Sequence, residues 1–82
     1  MDMTEFRTMV RSGAPEIEFE GVQVRLCRGE ALRPGDTYMA GFNTGPHLLT
    51  VREVFEDQGF VTNVENAYPF NLINCIKVEV LV

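Results

Sequence analysis

The chain has no Trp, one His, two Cys and a single Lys in 82 residues. Each scarcity narrows what it can be. The lone histidine, His47, has no Ser, Cys or Asp at motif spacing, so acid–base and nucleophilic catalysis lack a natural partner set. Cys27 and Cys75 stand alone, with no CxxC and no Cys/His cluster, which excludes a structural zinc site of the usual pattern. Met1-Asp2-Met3-Thr4-Glu5 is acidic and lacks the basic and apolar regions of a secretory leader. The two thiols are therefore expected to be free in a reducing, cytoplasmic setting. No run of 18 apolar residues occurs, so no membrane-spanning helix is expected. Basic charge is also scarce. Twelve acids against seven bases give a net charge of −5, which argues against a free-standing nucleic-acid binder. Glycine patterns of the dinucleotide and P-loop kinds are missing. The length excludes a doubly wound nucleotide fold, which needs several βαβ units of about 30 residues each.

What is present is ordinary globular composition, 45% apolar and 23% charged, in one domain spanning residues 1–82. The apolar residues Met3, Phe6, Met9 and Val10 recur at helical spacing. Asp2 is placed to cap the helix, with Glu5 three residues on. Gly13 and Pro15 close it. A short N-terminal helix over about 3–11 is predicted.

From residue 16 to 82 the pattern is β. Ile17 and Phe19 alternate with Glu16, Glu18 and Glu20. Val22, Val24 and Leu26 alternate with Gln23, Arg25 and Cys27. The apolar parity switches across Glu20-Gly21. A two-residue hairpin turn repairs it, pairing Phe19 with Val22 and Glu16 with Arg25. A bulge at Gly21 is the alternative. Arg33-Pro34-Gly35-Asp36 reads as a type II turn. Strands over 37–42, 47–55 and 60–65 follow, with Leu49, Val51 and Phe55 on one face of the second and Leu48 and Val54 on the other. The last strand carries Ile76, Val78, Val80 and Val82 on one face. Five to six short strands at intervals near ten residues predict a small antiparallel barrel, mainly β.

The layout resembles the small β-barrels of the SH3-like and Sm-like kind. Leu32-Arg33-Pro34-Gly35-Asp36 is similar to the Pro-Gly-Asp entry into a strand of SH3-like barrels. The meander from Thr37 to Glu65 follows the same order. Tyr68-Pro69-Phe70-Asn71-Leu72-Ile73 stands where these barrels often place one 3-10 turn before the final strand. A helix ahead of the strands is the Sm-like arrangement. The resemblance implies a five- to six-stranded barrel and a binding or self-assembling module.

Two sets of residues are candidate sites. Tyr38, Phe42, Tyr68, Phe70 and Asn71 would gather where the loop before the last strand meets the strand carrying Tyr38. Aromatic rings there could grip a peptide, stack on a ligand or form a subunit contact. Packing of Phe42 and Phe70 in the core, with only the tyrosines outside, is the competing explanation. Glu16, Glu18 and Glu20 point one way from a single strand and make an acidic face. That face could meet a basic partner, or it could simply be solvated and discourage edge pairing. Carboxylates that could pair for acid–base work, Glu53, Glu56, Asp57 and Glu65, carry no sign of the burial that tunes a pKa.

No catalytic residue, metal site or cofactor is expected. The leading expectation is a non-catalytic module acting as a homo-oligomer or with a protein partner, the last strand being the best candidate for pairing between subunits. The alternative is an acidic inhibitor, or nucleic-acid mimic, that docks a basic surface. It would gather Glu16, Glu18, Glu20, Glu30 and Asp36 on one face.

Overall fold

A computed structural model describes residues 1–42 and 44–81. It is mainly β, one curled antiparallel sheet with a single N-terminal helix. The helix α1, Met3–Arg11, starts where Asp2 Oδ1 accepts a hydrogen bond from the Glu5 N–H at 2.8 Å. That bond satisfies one of the donors a helix leaves open at its start. At the other end the Arg28 guanidinium donates to the carbonyls of Met9 and Val10 at 3.2–3.4 Å. A cation at that end also complements the helix dipole. Met3 and Phe6 are buried, with Met9 and Val10 packed beside them. A helix this short holds only because that face is covered.

The strands are β1 (Glu16–Phe19), β2 (Val22–Cys27), β3 (Thr37–Phe42), β4 (Gly45–Phe55), β5 (Phe60–Asn63), β6 (Phe70–Asn71) and β7 (Ile76–Val80). A 3-10 turn, Leu72–Asn74, leads into β7. There are seven strands where five or six were expected. The excess includes β6, two residues long and too short for a periodic signal. The predicted hairpin between β1 and β2 forms, with Glu16 opposite Arg25 and Phe19 opposite Val22. Its two turn residues, Glu20 and Gly21, both have positive φ, 51° and 79°, as a type I′ turn requires. The type II turn also forms. Gly35 has φ 90°, the Asp36 N–H donates to the Arg33 carbonyl at 3.0 Å, and Asp36 Oδ2 accepts from the Arg33 N–H at 2.9 Å.

The order across the sheet is β1-β2-β7-β3-β4-β5-β6. The last strand therefore lies inside the sheet, hydrogen-bonded to β2 on one side and to β3 on the other. This corrects the expectation that β7 is a free edge for a neighbouring subunit. The edges are β1 and β6. Nor does the last strand bury one whole face: Val78 is buried but Val80 is exposed, and Val82 lies outside the described residues.

Two apolar clusters pack the chain, and they lie on opposite faces of the sheet. Met39 belongs to one, with α1, Ile17, Phe19, Val24, Leu26 and Val78. Its neighbours Tyr38 and Ala40 belong to the other, with Leu49, Val51, Val61 and Phe70. Adjacent strand residues point to opposite faces, so β3 is buried on both. The second cluster is closed by Leu32, Leu72 and Cys75. In β4, Leu48 packs on the helix side and Leu49 on the other, as expected. Val54 departs from expectation and joins Leu49 and Val51. The cause is a bulge between Val51 and Glu53, which inserts one residue and flips the alternation.

Candidate functional site

The aromatic set divides between inside and outside. Tyr38 is fully buried, and its ring meets Phe70 edge-on, with centroids 6.4 Å apart. Both are core residues, so the expectation of Tyr38 as a surface ring is corrected. β3 is an inner strand covered on both faces, and its sequence carries no polar alternation to reveal that. Tyr68 remains about half exposed and leans on Phe70 at 5.2 Å. Asn71 caps the 3-10 turn, its side-chain oxygen accepting from the Ile73 N–H at 3.1 Å. The Phe42 side chain lies outside the described residues.

Asn63, absent from the sequence-based set, organises this corner. It is buried. Its Nδ2 donates to the Tyr68 carbonyl at 3.1 Å and its Oδ1 accepts from the Asn66 N–H at 2.7 Å. The Tyr38 phenol is pushed up chiefly by burial, and its hydroxyl has no hydrogen-bond partner among the described residues. No sequence signal separates Asn63 from the chain's other asparagines, since its role comes from β5 ending beside the loop that leads to β6.

Glu16 and Glu18 are exposed on edge strand β1, while Glu20 sits in the turn. The acidic row is therefore two strand residues and a turn tip. Next to it, Arg25 lies opposite Glu16 on one side and forms an ion pair with Glu79 on the other. Glu30 and Asp36 both approach Lys77, at 3.5 and 3.6 Å. Among the other candidate acids, Glu65 accepts from the Thr50 N–H and hydroxyl at 2.7 and 2.8 Å. Burial opposes its ionisation, but these hydrogen bonds prevail and hold its carboxyl below the usual range. Glu65 is a tie between β4 and the loop after β5. His47 is exposed on β4. No group of three or more His, Cys, Asp or Glu able to hold a metal occurs among the described residues.

Both cysteines are free thiols. Burial pushes Cys27 up, assisted by Glu30. Burial alone pushes Cys75 up to about 12. Thiols so shifted are poor nucleophiles at neutral pH.

A concavity lies elsewhere, between α1 and the segment Ile73–Ile76. It is a groove of about 200 Å³. Met3, Phe6 and Val10 give its helix side an apolar surface, and Arg7 and Arg11 border the same side. Ile73 stands at the opposite side with 87% of its surface exposed, the highest fraction among the exposed large hydrophobics of the described residues. Neither arginine has an acidic partner among the described residues. In the sequence they are two charges four residues apart on the predicted helix. The second half of the groove is supplied by a segment more than 60 residues further on, which no local pattern connects to α1.

Comparison of the chain with family models, with characterised proteins and with solved structures returns no match.

Proposed function

We propose that the chain is a non-catalytic interaction module built on a small β-barrel of the SH3-like or Sm-like kind, engaging a protein partner or further copies of itself. The fold part of this reading is supported by the Pro34-Gly35-Asp36 turn entering β3, the meander through β5 and the 3-10 turn before β7. The observation that carries the functional part is the groove between α1 and Ile73–Ile76, with Ile73 almost wholly in solvent. Apolar surface of this kind beside charged residues is typical of interaction sites. The titratable groups point away from catalysis: Glu65 and Lys77 are engaged in structural ties, and Cys75 is held protonated.

The test has two parts. Light scattering after size exclusion, at low and high salt, separates a multimer from a monomer. Proximity labelling in the source cells then compares the wild-type chain with Ile73→Asp. A multimer broken by Ile73→Asp, or a neighbour set lost with it, is the expected result. A monomer whose neighbours are identical in the two forms would refute the reading.

A further inference from the structure

The groove also indicates what its partner carries. We infer that it binds a protein segment in which a large apolar side chain stands next to an Asp or Glu, the apolar side chain entering between Phe6, Val10 and Ile73 and the carboxylate meeting Arg7 and Arg11. This deepens the interaction-module reading and rests on it.

Size is the first argument. Pockets for whole small molecules run to about 300–1,000 Å³. A groove of about 200 Å³ is smaller than that range and suits one anchoring side chain of a larger partner. Exposed Ile73 extends the apolar area beyond the groove, where only a larger partner reaches. Buried apolar anchors are what fix such complexes.

Charge is the second argument. The chain as a whole is acidic, yet this site is bordered by two guanidiniums and no acid. Elsewhere three cations are engaged: Arg25 by Glu79, Lys77 by Glu30 and Asp36, and Arg28 by the helix carbonyls, while Arg33 and Arg52 do not border the groove. Arg7 and Arg11 are four residues apart on α1, so they point to one side and can share one anionic group or two adjacent ones. A basic partner would face these guanidiniums, and like charge there excludes it.

The probe is a phage-displayed library of randomised peptides, selected on the wild-type chain and on the double variant Arg7→Glu/Arg11→Glu. Enriched peptides are then titrated against the ¹⁵N-labelled chain. Wild-type selection is expected to enrich Asp or Glu beside Leu, Ile, Met or Phe. Amide shifts are expected over α1 and residues 72–76. The double variant and Ile73→Asp should each weaken binding on the order of tenfold, while Arg7→Lys/Arg11→Lys retains it. These residues are exposed, so the variants keep the fold.

The inference is overturned by enrichment of basic or Pro-rich peptides, by no enrichment, or by equal binding to the charge-reversed variant. Decanoate, tested separately, overturns it if it fills the groove while no peptide does. Acidic peptides that map to another face remove the groove assignment but leave the interaction module standing. Failure of the module itself is read instead from the light scattering and labelling above.

Discussion

Replacing Asn63 tests the account of the loop between β5 and β6. Asn63 is buried and holds that loop through the Asn66 N–H and the Tyr68 carbonyl. Asn63→Ala removes both bonds. Each contributes about 1 kcal/mol net, and more where the abandoned group stays dry. Asn66 and Tyr68 are exposed residues, so water can reach their backbone in part, and the expected loss is about 2 kcal/mol. For a domain of this size that lowers Tm by about 10 °C. With a urea slope of about 1 kcal/mol/M it lowers the midpoint by about 2 M, without a change of slope.

Asn63→Asp sharpens the test because it keeps the shape. The new carboxyl is buried beside the Tyr68 carbonyl, so its pKa in the folded state lies above its unfolded value of about 4. Below that unfolded value the carboxyl is protonated in both states, donates to the carbonyl and costs little. As pH rises past about 4 the unfolded chain ionises first, and the variant loses about 1.4 kcal/mol per unit until its folded pKa is passed. Urea melts of wild type and variant at pH 3.5 and 7 measure this. A penalty that is equal at the two pH values, or an Asn63→Ala loss under about 0.5 kcal/mol, would refute the reasoning.

Other expectations follow from single contacts. Glu65 has a depressed folded pKa, so its contribution is present above the ordinary carboxylate value and lost as pH falls through the folded one. Glu65→Gln should therefore flatten part of the acid limb of a pH–stability curve, by less than about 1 kcal/mol because the group is exposed. Gly35→Ala forces a side chain onto φ 90° in the type II turn and should cost about 1–2 kcal/mol by chemical denaturation. Met39→Ala opens a cavity in a fully buried site on the helix side of β3 and should cost about 2–5 kcal/mol in the same assay. Cys75, at about 12, should react with iodoacetamide at pH 8 at least tenfold more slowly in the folded chain than in denaturant, by mass spectrometry.

The local elements were largely legible. Parity alone located the β1–β2 hairpin, because the switch from Phe19 to Val22 leaves a two-residue turn as the simplest repair. Asp2, Gly35 and Asn71 sit where capping and turn chemistry require them. The assembly was less legible, for a physical reason. Tyr38-Met39-Ala40 has no polar alternation, and a strand buried on both faces gives no sign of which neighbour takes which side. The same blindness placed Val54 wrongly, since a bulge leaves no composition mark. The groove depended on two distant segments meeting. Arg7 and Arg11 were visible as charges, but that no acid among the described residues pairs with them depends on tertiary placement, which no local pattern reveals.

The place of β7 between β2 and β3 bears on how the chain assembles. The β1–β2 hairpin and the β3–β5 meander each form from near neighbours in sequence, but nothing joins them in the sheet until residues 76–80 arrive. On a ribosome the two halves must wait, each with one apolar side uncovered, for the segment that zips them together. Long-range closure of this kind slows folding and leaves the nascent halves open to wrong pairing. The charges along β1, Glu16 and Glu18, then guard the first half during that interval.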